Sequence, residues 1–173
     1  MKAMSSLQSK LMMRLSALQR KGALDPLTGC WNIRGFRELL PLGAEDARDN
    51  ATDLAVCSLH VDDLEQVAEA AGFSNRDALT LMLAQVLRQR LPQNGALARL
   101  DPSDFCVLVP AKSAWPLKKK LAKLTFPTAT VNLPGSKLRL DIALSIRVSW
   151  LAELGPKATA DKLWAHALLT RAS

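Results

Sequence analysis

Asp25-Pro26-Leu27-Thr28-Gly29-Cys30-Trp31-Asn32-Ile33-Arg34-Gly35-Phe36 is the stretch on which the fold turns. Asp25 is a capping side chain, Pro26 suits a first helical position, and Gly29 interrupts whatever they begin. Asn32 then opens a short helix expected to run to Leu40. The polar segment 43–52 reads as a loop. Beyond it, Leu54-Ala55-Val56-Cys57-Ser58-Leu59-His60-Val61 has the length and composition of a buried strand.

Further along, Asp62 to Ala71 has a helical pattern and Gly72 breaks it. Ser74 caps a stronger helix, Asn75 to Leu91, with Leu79, Met82, Leu83, Val86 and Leu87 on one face. Pro92 ends that helix. Ala96–Leu100 and Phe105–Val109 form a hairpin by spacing, around the four-residue turn Asp101-Pro102-Ser103-Asp104. Trp115 to Leu124 reads as another helix. Thr128–Leu133 and Leu138–Trp150 read as strands separated by Pro134-Gly135-Ser136, and Thr159–Thr170 closes the chain as a helix. Hairpins mixed with crossover helices predict an α+β fold, an antiparallel sheet flanked by helices of ferredoxin-like kind.

Ahead of this domain, residues 4–21 read as a helix. Met4, Leu7, Leu11, Leu15 and Leu18 make an apolar stripe, with Lys10, Arg14, Arg20 and Lys21 supplying the polar side. The spacing approximates a heptad seam, although Arg14 takes one seam position and the stretch is too short to diagnose a coiled coil. A packing helix and a dimer-forming helix fit the pattern equally. The chain therefore divides into a helical extension, 1–22, and a globular domain, 23–173.

With 173 residues, 49% of them apolar, the chain can bury a full core. The net charge of +7 is reached by lysines and arginines on solvated faces. Lys118-Lys119-Lys120 is short for a nucleic-acid or membrane patch, and a chain without Tyr or basic–aromatic interleaving lacks a stacking platform for bases. The three cysteines, Cys30, Cys57 and Cys106, have no metal-type spacing. Cys57 and Cys106 sit in strand-like runs as small core residues, of the kind a reducing compartment keeps. No apolar run approaches the ~20 residues of a membrane span, and no secretory h-region opens the chain. The expected location is cytoplasmic, free or as the output region of a membrane-tethered protein.

The motif Asp25-x-Leu27-Thr28-Gly29-x-x-Asn32-x-Arg34-x-Phe36 resembles the opening of GGDEF (diguanylate cyclase) domains. The likeness extends to about residue 172 through the strand ending near Asp62, Gly72, the Asp77-Ala78-Leu79 helix start, the Arg99…Phe105 hairpin and Leu144-Ser145-Ile146. It implies the nucleotide-cyclase version of the α+β fold and a signalling helix ahead of Asp25. It also implies a place in bacterial cyclic di-GMP signalling, such as control of biofilm, exopolysaccharide or motility. Members of the family join two GTP molecules, one per subunit, using divalent metal to neutralise phosphate charge.

The residues for that chemistry are largely replaced. At the strand end, where the family places a metal-binding Asp, stands His60, and a neutral imidazole is a poor Mg²⁺ ligand. Asp62 survives from the strand-end pair. The family's Phe-Lys becomes Leu64-Glu65, reversing a charge near phosphate, and its guanine-reading Asn becomes Ala68, while Asp77 is kept. The hairpin signature becomes Asp101-Pro102-Ser103-Asp104-Phe105. Asp101 repels phosphate, Pro102 has no N–H to offer, and Asp104 keeps a shortened carboxylate. Arg147 replaces a glycine, and the phosphate-contacting lysine of the last helix falls near Ser173. The product-inhibition motif maps to Pro92-Gln93-Asn94-Gly95, without its Arg or Asp.

The expectation is a catalytically inactive regulatory or protein-interaction module, with no catalytic residue, bound metal or cofactor. Its partner would be a second copy, paired through Leu7, Leu11, Leu15 and Leu18, or another protein. The alternative is a receptor that binds GTP or cyclic di-GMP without turnover, supported by Asp77 and Arg99; an active cyclase ranks last. His60, Asp62, Asp77, Arg99, Asp101 and Asp104 mark the vestigial cleft. His60, Asp62, Asp101 and Asp104 could be assembled into a new metal site, but solvated residues at a drifted cleft explain them more simply. His166 reads as a surface or packing residue, and Trp31, Trp115 and Trp150 as core or interface anchors.

Overall fold

The computed structural model describes residues 13, 16–17, 22–62, 64–72, 76–90, 95–111, 129–130, 139–140, 144–155 and 157–169. The stripe Leu7, Leu11, Leu15 and Leu18, the Ser74 cap, the helix expected at 115–124 with Trp115, the turn at 134–136 and Ser173 lie outside the described residues.

The elements follow in the order α1 (Ile33–Asp49), β1 (Asp53–Val61), α2 (Leu64–Ala71), α3 (Arg76–Arg90), β2 (Ala96–Asp101), β3 (Asp104–Ala111), β4 (Ala129–Thr130), β5 (Arg139–Leu140), β6 (Leu144–Trp150), a 3₁₀ turn (Ala152–Leu154) and α4 (Ala160–Leu169). Four strands form an antiparallel sheet in the order β2-β3-β1-β6, and β4 pairs with β5 in a separate ladder. This is the α+β architecture that the sequence pattern predicts.

Alternation along β1 sends successive side chains to opposite faces of the sheet. Ala55, Cys57, Leu59 and Val61 join Leu79, Leu83 and Leu87 of α3 in one core layer. Leu54 and Val56 join Phe36, Leu39 and Leu40 of α1 and Leu163 and Trp164 of α4 in the other. Both faces are covered, so residues 54–59 of β1 are buried without interruption, whereas a half-exposed strand would alternate. All three cysteines are buried and free, and burial pushes the Cys57 and Cys106 thiols up to about 12. They behave as small core residues.

Three local expectations are corrected. The segment 43–52 is not a loop, because α1 continues to Asp49. Gly43, Ala44 and Ala47 prolong the buried stripe of Phe36, Leu39 and Leu40, and small side chains let the helix lie close to Leu54 and Leu108. Asp25-Pro26 does not start a helix: residues 26–28 form a turn, and Gly29 follows with φ +65°. The hairpin turns tightly on Pro102-Ser103, with Asp101 opposite Asp104 and a register shift between Arg99 and Asp101. Within the stretch expected as one strand at 138–150, Arg139–Leu140 pairs with β4 and Leu144–Trp150 pairs with β1.

Candidate functional site

The opening motif is structural. Asn32 caps α1 by accepting from the Gly35 N–H at 2.9 Å, and its amide donates to the carbonyls of Gly22 and Leu24. Asp25 accepts from the Thr28 N–H at 2.8 Å and the Thr28 hydroxyl at 2.7 Å. Trp31 bridges to Ala98, with Trp31 N–H bonded to Leu97 O and Arg99 N–H to Trp31 O. The motif thus covers the outer edge of β2, which would otherwise present open backbone groups. Arg34 sits outside on α1, in a loose exposed pair with Glu38.

Arg99 belongs to this frame, which corrects its expected place in the cleft. Its guanidinium donates to both Asp25 carboxylate oxygens, at 3.2 and 3.3 Å, and both side chains are largely buried. Partial burial works to raise the Asp25 carboxyl. The Thr28 hydroxyl and N–H and the Arg99 charge outweigh it and hold Asp25 below its ordinary value.

The cleft proper lies on the α1/α4 side of the sheet. Register places His60 between Asp104 and Ser145, and Ser58 between Cys106 and Arg147. These side chains, with Leu100 of β2 and Leu168 of α4, line a cavity of about 170 Å³. That is small beside the roughly 300–1,000 Å³ usual for small-molecule sites. His60 Nδ1–H donates to Asp104 Oδ1 at 2.7 Å; Asp104 is only 6% exposed and His60 46%. Ser145 donates to both oxygens of Asp62, at 3.1 and 3.0 Å, and Ser58 donates to the Ala167 carbonyl. Arg147 faces the cavity and forms no ion pair among the described residues.

The structure therefore joins His60 to Asp104 and brings Ser145 onto Asp62. Asp101 is exposed at the hairpin tip, and Asp77 is exposed on the first turn of α3. Glu65 pairs across the surface with Arg76 at 3.7 Å, and Ala68 is buried. His166 bonds to the Ser149 hydroxyl at 3.0 Å and acts as a packing residue of α4. Trp31 and Trp150 are core residues. The cavity-lining roles of Ser58 and Leu168 were not foreseen; Leu168 is legible only as part of the Leu163, Trp164, Ala167 face of the last helix.

The residues present do not suit a divalent cation. The strand-end position offers an imidazole already bonded to the buried Asp104 carboxylate, and Mg²⁺ needs hard oxygen donors. Among the described residues, no three His, Cys, Asp or Glu side chains gather where they could hold a metal ion.

A strand end meeting a hairpin start at one end of an antiparallel sheet, with helices on both faces, defines a domain of the nucleotide-cyclase class. The chain belongs to the GGDEF family: the description "Diguanylate cyclase, GGDEF domain" matches residues 22–170. It is 26% identical over 133 residues to the cyclic di-GMP phosphodiesterase PdeB of Shewanella oneidensis, covering 77% of this chain and 15% of PdeB. It is 33% identical over 96 residues to the diguanylate cyclase DgcP of Pseudomonas aeruginosa, covering 55% of this chain and 14% of DgcP. Among solved structures, a sensory box/GGDEF family protein from Caulobacter crescentus matches with a TM-score of 0.74 at 25% identity, over 86% of this chain and 94% of that one. The chain thus spans about one seventh of the curated relatives it matches. No helix among the described residues is long and apolar enough to cross a membrane.

Proposed function

We propose that this chain is a non-catalytic GGDEF domain serving as a regulatory, protein-interaction module in cyclic di-GMP signalling. The observation that carries the reading is the His60–Asp104 hydrogen bond of 2.7 Å, which engages the hairpin carboxylate with a neighbouring side chain. The small cavity and the Pro102-Ser103 turn support it, since Pro102 offers no N–H to a phosphate. The relatives' names include both a phosphodiesterase and a cyclase, so resemblance alone does not choose an activity. The module would act through its surfaces, pairing with a second copy through the leading stripe Leu7, Leu11, Leu15 and Leu18 or relaying an input to a partner protein.

Calorimetry with GTP and with cyclic di-GMP, each with Mg²⁺, followed by a product assay, tests this directly. The expected result is no binding heat and no product. Formation of cyclic di-GMP would overturn the reading. Binding without product would favour the second reading, a nucleotide receptor without turnover, whose specific support is Arg147 facing the cavity without an ion-pair partner among the described residues. Light scattering with and without residues 1–21 tests the pairing role; an unchanged mass would count against it.

A further inference from the structure

The mismatch between this cleft and a divalent cation points to what replaced the ion. His60 and Asp104 are direct cross-strand partners, one residue before the end of β1 and at the first residue of β3, and their side chains meet at 2.7 Å. The backbone closes the same junction, through Val61 N–H bonded to Ser103 O at 2.8 Å. Asp104 is buried, and a buried carboxylate costs free energy unless a hydrogen-bond donor or a positive charge faces it. Here the donor is supplied by the chain.

We propose that the His60 imidazole stands in for a cation at this junction, so that strand end and hairpin are held together without metal. The proposal goes beyond the non-catalytic reading and does not rest on it, because a domain that binds no nucleotide could still need an ion to fold. A carboxylate at position 60 would lie directly opposite Asp104. Like charges in direct cross-strand register repel, and a carboxylate pair of this kind is relieved by a divalent ion with oxygen ligands. One substitution should therefore turn a metal-independent junction into a metal-dependent one.

The test is thermal unfolding of the wild-type chain, His60→Asp and His60→Asn at neutral pH and matched ionic strength, in EDTA and in millimolar Mg²⁺ or Mn²⁺. Wild type should melt at the same temperature, within about 1 °C, in all three conditions. His60→Asp should melt about 5 °C or more lower in EDTA and regain most of that with metal, since an ion that binds only the folded state raises its stability. His60→Asn should be lowered and indifferent to metal. A metal-dependent rise in wild type, or a metal-indifferent His60→Asp, would overturn the proposal. If His60→Asp refolds only when metal is present, that supports it; if it refolds in neither condition, the proposal fails. None of these outcomes depends on whether calorimetry detects GTP, so the two readings stand or fall separately.

Discussion

Asp25 shows how a signature residue can serve architecture. Its carboxylate ties the Thr28 turn to Arg99 of β2, and those contacts keep its folded-state value below the ordinary 3.8. The stabilisation is therefore complete above pH 3.8 and is lost as pH falls from there through the lower folded value. Acid titration followed by circular dichroism should show this loss in wild type and a shallower decline in Asp25→Asn. Arg99→Ala should cost about 1–3 kcal/mol in urea unfolding, because it strands a largely buried carboxylate. Gly35 is constrained differently. A Cβ there would strike the Ala23 carbonyl oxygen and come within 2.7 Å of the Trp31 ring, so Gly35→Ala should cost about 1–3 kcal/mol, read as a lowered urea midpoint. The motif that carried the resemblance was legible at these positions. Its physical work was not, since Asp25 meets Arg99 only after β2 is in place.

At the scale of elements, α1 is the instructive case. Its buried positions, from Gly35 to Ala47, keep helical spacing throughout, but the last of them are Gly43, Ala44 and Ala47. Such residues carry little apolar signal, and the charged residues between them made 43–52 look like a loop. Pro41 added to the disguise. It lies exposed inside the helix, where it removes the bond to the Arg37 carbonyl. Pro41→Ala should restore that bond and stabilise the domain by about 1–3 kcal/mol, measurable as a raised melting temperature; a lower one would mean that α1 needs the break. The last helix is fixed by packing and by polar contacts together. Trp164 meets Phe36 with ring centroids 5.5 Å apart, and Ser58 and Ser149 bond to Ala167 and His166. The helix itself was readable from its pattern, but not the sheet hydroxyls that hold it.

For the molecule as a whole, β1 is the axis. It is hydrogen-bonded to β3 on one side and β6 on the other, and helices cover both of its faces. Amide exchange should therefore be slowest in β1 around Ala55–Leu59 and faster in the edge strand β2, whose outer side is bridged, among the described residues, at Trp31. Faster exchange in β1 than in β2 would contradict this account of the core. The sequence by itself determined the family, the α+β class and the apolar character of the central strand, because periodicity and turn residues are local properties. It also exposed the replaced residues His60, Ala68, Asp101 and Pro102 one by one. Only the tertiary structure decided how they combine. It sent Arg99 to Asp25, set His60 against Asp104, and turned Arg147 and Leu168 into the same small cavity. Those relations depend on strand register and on where α4 docks, and both are settled by packing between residues far apart in the chain.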